Sequence, residues 1–449
     1  MSLPRYSKYK DSGARWLGDV PAHWDTQRAK FLFEIKKRIA GKEGFDVLSI
    51  TQRGIRIKDI ESNDGQLSMD YSKYQLVEIG DFAMNHMDLL TGYVDISKYF
   101  GVTSPDYRVF SIKDTSHCHA RYFLYLLQNG YRQKIFYAFG QGASEFGRWR
   151  FPTDQFNDFI FPVPSCSEQN FIATFLDRET AKIDTLIAEQ EKLIALLAEK
   201  RLATISHAVT RGLNPDVLMK NSGVVWLGVV PAHWSVMPLS SRYSVQLGKM
   251  LDSAKISGDH LRPYLRVYDV QWGQINVSDL PVMDFDETAR EKFRLAPGDI
   301  LVNEGGSYPG RSAIWTGGLD ECYYQKALHR LRPIREDEDS SQFLYFVLFW
   351  AANQGVFVAG GNETTIEHLP AERLRRYRFA FPGLTEQREI AAYLDAEVKK
   401  LDSLTTAAEL AIALLKERRS ALIAAAVTGQ IDVRNAVAAS AEQTKEVAA

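Results

Sequence analysis

A nine-residue box, Trp16-Leu17-Gly18-Asp19-Val20-Pro21-Ala22-His23-Trp24, returns as Trp226-Leu227-Gly228-Val229-Val230-Pro231-Ala232-His233-Trp234, identical at eight of nine positions and 210 residues further on. Such a repeat restricts the chain to architectures that build one unit twice. A second set recurs at an offset of 218: Glu168-Gln169 with Glu386-Gln387, Asp177 with Asp395, Asp184 with Asp402, and Val209-Thr210 with Val427-Thr428. Between them, Gly80-Asp81-x-x-x-Asn85 matches Gly298-Asp299-x-x-x-Asn303 at 218, and Leu124-Tyr125 matches Leu344-Tyr345 at 220. Each half therefore reads as a box, a long variable region and a helix. The chain is a tandem duplication, and 449 residues are too many for one core.

Long helices close both halves. In the second, Leu394, Val398, Leu401, Thr405, Ala408, Ile412, Leu415, Arg419, Leu422 and Ala426 alternate spacings of four and three, the stripe of a helix that faces another helix. Subtracting 218 gives the same stripe in the first: Leu176, Thr180, Ile183, Ile187, Gln190, Ile194, Leu197, Arg201, Thr204 and Ala208. Acceptor-rich caps open them, Ser165-Cys166-Ser167-Glu168-Gln169 after Pro164 and Thr385-Glu386-Gln387 after Pro382. Gly212 and Gly429 close them. Helices of roughly 40 residues, about 60 Å, are expected to pair as an intramolecular coiled coil.

The variable regions read as mixed α/β. Strand signals lie at 47–50, 93–96, 108–112, 264–267 and 299–302, and apolar helices at 121–139 and 342–357. The expected class is α+β: a first domain with its box at 1–160, a helix at 161–213, a second box and domain at 214–380, a helix at 381–432, and a frayed tail at 433–449.

Composition excludes little beyond global disorder, with 45% hydrophobic and 24% charged residues. No apolar run is long enough for a membrane helix or a secretion signal, so the cytoplasm is the expected compartment. Net charge is -2. Residues 26–160 carry 18 basic and 16 acidic groups and residues 236–380 carry 17 and 19, so any phosphate binding needs basic side chains gathered on one face. Cys118, Cys166 and Cys322 form no Cys-x-x-Cys motif and read as packing residues. His117-Cys118-His119 lacks a second ligand cluster.

Catalytic signatures are missing. Gly41-Lys42-Glu43 and Gly248-Lys249-Met250 lack the Ser or Thr of a nucleotide loop, and Phe139-Gly140-Gln141-Gly142 follows a predicted helix and reads as its stop. Asn214-Pro215-Asp216 lacks the aromatic residue of an amino-methyltransferase tetrad. Glu34-Ile35-Lys36 and Glu397-Val398-Lys399 are chance-level triplets, the second on a coiled-coil helix unsuited to two metal ions. The Gly-Asp pairs read as turns whose Asp caps backbone N–H groups, with Asn85 and Asn303 holding the next loop. The Trp boxes read as aromatics that dock the chain onto the coiled coil, Trp24 and Trp234 burying most area.

Taken together, the boxes at 16–24 and 226–234 and the Glu-Gln-led helices at 168 and 386 resemble the DNA specificity subunit of type I restriction-modification systems, over residues 6–432. The resemblance implies two target-recognition domains separated by an antiparallel two-helix coiled coil, each reading one half of an asymmetric bipartite site on double-stranded DNA. It also implies no catalysis and no cofactor in this chain. Two modification subunits would use S-adenosylmethionine to methylate adenine N6, and restriction subunits would use ATP and Mg. Trp16, Trp24, Trp226 and Trp234, repeated where the variable regions are not, are the candidate partner-binding residues.

Base-reading residues do not carry over from the family, whose recognition domains differ. Chemistry ranks loop-borne Arg, Lys, Asn, Gln, Ser and Tyr first. The candidates are Gln52, Arg53, Arg56, Asn85, His86, Arg148 and Arg150 in the first domain, and Tyr264, Arg266, Ser307, Tyr308, Arg311, Gln325 and Lys326 in the second. Two rivals, a single-chain restriction-methylation enzyme and a protein-only coiled-coil adaptor, are disfavoured by the missing motifs and by the two diverged domains.

Overall fold

A computed structural model describes residues 3–60, 68, 70–142, 149–250, 258–306, 308–357 and 368–435. Two compact units divide the chain: residues 1–191 with 410–449, and residues 192–409. Each is α+β.

The first unit is centred on a four-stranded antiparallel sheet in the order Phe33–Lys36, Arg108–Ile112, Phe82–Met84, Val94–Ile96. Phe82–Met84 is a central strand and is buried on both faces. Phe33, Phe82, Phe110, Phe123, Phe156 and Phe161 pack together, and helix Ala120–Arg132 supplies Tyr122 to Leu127 to the same core. That helix stops seven residues short of the expected 139, because Lys134 turns to φ 54° before a short 3-10 segment, Phe136–Phe139.

In the second unit the sheet runs Tyr243–Leu247, Leu328–Pro333, Ile300–Asn303, Ser312–Ile314. These strands follow their counterparts at the 210, 220, 218 and 218 offsets that the motifs show, and helix Ser341–Asn353 follows Ala120–Arg132. What differs lies between the repeated strands. The first unit has a hairpin, Leu48–Thr51 with Gly54–Ile57, and the pair Gln75–Val77 with Gly101–Thr103. The second has a three-stranded sheet, in which Leu261–Leu265 pairs in parallel with Tyr323–Tyr324 and antiparallel with Val282–Asp284, and a helix Glu287–Phe293 capped by Asp286.

The expected Gly-Asp turns are present. Asp81 accepts from Glu78 N, and Asp299 from Ala296 N at 2.7 Å. Both carboxylates are buried, and both also bond an arginine, Arg38 and Arg332 respectively.

The long helices are Cys166–Arg211 and Leu384–Val427. At 1.5 Å rise their 46 and 44 residues extend about 69 and 66 Å. The predicted stripe positions are buried or half-buried. Within the first unit Arg419 bonds Asp184 at 2.9 Å, and within the second Arg201 bonds Asp402 at 3.0 Å. These are one repeat-equivalent pair seen twice. Each step forward on one helix is matched by an equal step back on the other, so the helices pair antiparallel.

The Glu-Gln dipeptides do more than cap. Gln169, fully buried, donates through Nε2 to His117 O and Pro164 O at 3.0 and 2.8 Å and accepts from His119 N at 2.7 Å. Gln387 repeats this with Glu338 O, Pro382 O and Ser340 N. His119 and Ser340 are the N-caps of the two core helices, so one amide ties each long helix to its domain. The preceding glutamates hold the boxes: His23 Nε2 lies 2.9 Å from Glu168 Oε2, and His233 Nε2 lies 2.8 Å from Glu386 Oε2. The other oxygen accepts from Tyr6 OH in the first unit and from Trp234 Nε1 in the second.

Trp24 and Trp234 are fully buried against the glycines that end the opposite long helices, Gly429 at φ +75° and Gly212 at φ +76°. Of the tail expected at 433–449, Val433 is fully buried and Arg434 bonds Asp432 and covers Tyr6, and residues 436–449 lie outside the described ones.

Candidate nucleic-acid interface

The reading candidates of the first unit fall into two places. Gln52 and Arg53 are the exposed tip of the hairpin, with Arg56 exposed on its second strand. Thr51 Oγ1 receives Arg53 N and donates to Gly54 O, which closes the two-residue turn. Asp95 Oδ2 accepts from Ile55 N and docks the hairpin on the central sheet. Gln52 shares a shallow pocket with Tyr93, Arg132 and Lys134. The helix expected to run to 139 placed both bases inside it, not on a loop, so sequence reasoning passed over them; the structure ends the helix at Arg132.

The second place is a cleft of about 450 Å³ lined by Lys36, Lys37, His86, Arg108, Arg150 and Thr153, with Asp106 as its acid. Arg150 arrives on a backbone ladder with Gln141, and Phe151 N bonds His86 O. Arg108 is buried, donates to Phe151 O and Thr153 Oγ1, and stacks on Phe156. Among the described residues no carboxylate bonds it. Burial lowers its pKa to about 10. Burial first, and then the Arg108 charge, lowers His86 to about 3. His86 is thus neutral at physiological pH and faces the cleft as a hydrogen-bonding ring. Asn85 is different: its Oδ1 accepts from Met87 N and its carbonyl from Tyr131 OH, so it holds the loop. Arg148 lies outside the described residues. The run Lys36-Lys37-Arg38 was the signal for the missed lysines, although Arg38 itself is spent on Glu78 and Asp81.

Fewer candidates of the second unit are free to reach a ligand. Tyr264 is buried in its parallel strand. Arg266 forms a two-armed bond with Asp269, because the strand ends at Leu265 and a 3-10 turn brings the two together. Gln325 and Lys326 precede Ala327, whose φ of 93° is strained for a residue with a Cβ; Lys326 is exposed there. Tyr308 is exposed and stacks with Arg311, which bonds Gln271. Tyr268, 75% exposed, joins this patch through Gln271; neither residue was flagged by sequence. Ser307 lies outside the described residues.

The four tryptophans pack inward. Trp16 stacks on Phe159 and donates to Ile160 O, and Trp226 packs on Trp350 and Phe379. Trp24 and Trp234 present no surface. Two leucine pairs at repeat-equivalent helix positions do: Leu186 and Leu404 are both 46% exposed, and Leu196 and Leu414 are 51% and 56%.

The chain is similar in sequence and in fold to known proteins. Residues 27–195 and 263–412 match the family model of the type I restriction modification DNA specificity domain. Over 282 residues the chain is 25% identical to the type I restriction enzyme EcoBI specificity subunit of Escherichia coli, covering 61% of this chain and 59% of that one. Over 287 residues it is 26% identical to the StySPI specificity subunit of Salmonella potsdam, covering 60% and 57%. The alignments thus span less than two thirds of these relatives. The crystal structure of an HsdS subunit from Thermoanaerobacter tengcongensis superposes with a TM-score of 0.57 at 15% identity, over 91% of this chain and 98% of that one. A chain from a structural study of assembly and conformational transition in the type I system gives 0.63 at 17% identity, with the same coverage. At these identities the two structures establish a common fold.

Proposed function

The chain belongs to the type I restriction-modification DNA specificity family, and from that premise we propose that it is the sequence-reading subunit of a type I complex. One observation carries the reading. The central sheet, the core helix, the Gln clamp and the box recur in both units, whereas the hairpin, the parallel strand pair and the exposed basic and aromatic side chains differ. A repeated frame with unlike reading surfaces is what an asymmetric bipartite site in double-stranded DNA requires. The first unit offers Gln52, Arg53, His86 and Arg150 to one half-site, and the second offers Tyr308, Arg311 and Lys326 to the other. Phosphate contacts from Lys36, Lys37, Arg132 and Lys134 would set register without reading sequence.

The chain performs no chemistry in this reading. Two modification subunits bring S-adenosylmethionine and methylate adenine, and restriction subunits bring ATP and Mg. Leucines exposed at equivalent positions of both long helices support two identical partners, since one surface offered twice fits one kind of subunit twice. The packed box tryptophans would brace the ends of the helices that carry that surface. No helix among the described residues is long and apolar enough to cross a membrane, which fits work on cytoplasmic DNA.

Exchanging residues 26–160 for the same region of a relative tests the reading. One half of the methylated motif should change and the other persist; a change in both would refute the assignment of one unit to one half-site. Purified chain alone should neither methylate nor cut DNA.

A further inference from the structure

Arg311 is held differently from the carboxylate-bound arginines of the second unit; Arg330, which is buried, also bonds an amide, that of Gln246. Arg242, Arg262, Arg266, Arg290 and Arg332 each bond a carboxylate. Arg311 bonds an amide instead: Nη1 donates to Gln271 Oε1 at 2.6 Å, and the guanidinium lies 4.3 Å from the Tyr308 ring centre. Its charge is therefore not neutralised by a bonded acid, while its plane is fixed from two sides.

The local backbone explains the fixing. Arg311 N bonds Tyr308 O at 3.2 Å across Pro309 and Gly310, the latter at φ +87°. This is a type II turn, with Pro second and Gly third, and it sets its first and last side chains next to each other. Asn303 exchanges both backbone bonds with the turn, receiving Gly310 N and donating to Arg311 O. A Cβ at Gly310 would lie 2.4 Å from the Phe357 ring, so the backbone is pinned from behind. Gln271 is itself oriented by a bond to Tyr268 O at 2.8 Å. Tyr268 and Tyr308, 75% and 58% exposed, form an aromatic rim.

Among the described residues, Nη2 and one hydrogen of Nη1 have no acceptor. A planar fork of N–H donors held rigid at a solvent-facing turn matches the O6 and N7 acceptors that guanine shows in the major groove. The position 218 residues earlier is Tyr93, whose hydroxyl accepts from Arg132 within the first unit, so this device belongs to one half of the duplication. We infer that Arg311 reads a guanine in the second half-site, with Gln271 and Tyr308 as positioning residues. The inference rests on the DNA-reading function proposed above.

The test is a binding selection on DNA randomised in each half-site, using the assembled complex with its modification subunits and native mass spectrometry to verify assembly of every variant. The wild type should require a guanine at one fixed position of the second half-site. Arg311→Lys keeps the charge and loses the fork, so preference for that guanine should fall by roughly tenfold to a hundredfold while every other position holds. Tyr308→Ala removes the ring that fixes the guanidinium plane, so it should weaken the preference for the same guanine and for no other position. Weaker binding with unchanged preferences in Arg311→Lys would mark a phosphate contact and overturn the inference, as would a wild-type second half-site without a G·C pair. If the wild-type complex selects no bipartite sequence, the parent function falls too.

Discussion

Replacing Gln169 by alanine should separate the first long helix from the domain it carries. The amide makes three bonds, to His117 O, Pro164 O and His119 N, and is fully buried. Each bond contributes about 1 kcal/mol net, so the loss is about 3 kcal/mol before packing is counted. For a unit of this size about 3 kcal/mol corresponds to a fall of roughly 6–12 °C in melting temperature. Scanning calorimetry of the full chain measures it, with Gln387→Ala as the matched variant of the second unit. Gln169→Glu sharpens the test. The shape is kept, but the oxygen that replaces Nε2 would face both carbonyls, so the isosteric change should cost at least as much as alanine. A shift below about 1 °C for Gln169→Ala, or a neutral Gln169→Glu, would refute the clamp.

Three further outcomes follow from the geometry. Gly212→Ala should cost about 1 kcal/mol for its left-handed backbone, because a Cβ there meets nothing nearer than 3.3 Å; Gly429→Ala should cost about 2–4 kcal/mol, because its Cβ would lie 2.3 Å from Pro21, and urea unfolding compares the two. His86 has a folded pKa lowered to about 3 against an ordinary 6.5, so the unfolded chain binds the extra proton between those values; stability should fall as pH drops from 6.5 towards 3, and His86→Gln should flatten that slope in pH-dependent unfolding. Leu186→Asp and Leu404→Asp alter equivalent exposed positions, so each should reduce a complex with two modification subunits to one with a single copy by native mass spectrometry, and two retained copies would count against the leucine surface.

The frame of this fold was legible because it is written twice. The motif offsets of 210 before the variable regions and 218 after them place an eight-residue difference inside those regions, which is where the second unit has its three-stranded sheet. The helix stripes, the glycine stops and the Gly-Asp turns follow from local rules. The reading surfaces do not. Arg266 looked available until a three-residue step delivered Asp269 to it, and Tyr264 until a strand from 59 residues later covered it. Arg108 sits in a strand whose burial only the folded sheet defines. The role of the glutamates was equally hidden: Glu168 meets His23 across 145 residues, a separation at which sequence supplies no pairing rule.

The division of the long helices between units has a consequence for the order in which a ribosome delivers the chain. Residues 192–409 are contiguous and can complete their unit as soon as they emerge. The first unit cannot: its core includes Ile423, Ala426, Val427 and Val433, which follow residue 191 by more than 200 positions. At 5–20 residues per second that is a wait of roughly 10–45 s with an apolar face uncovered. The part made first is the part finished last, so a prematurely terminated chain never completes the first unit.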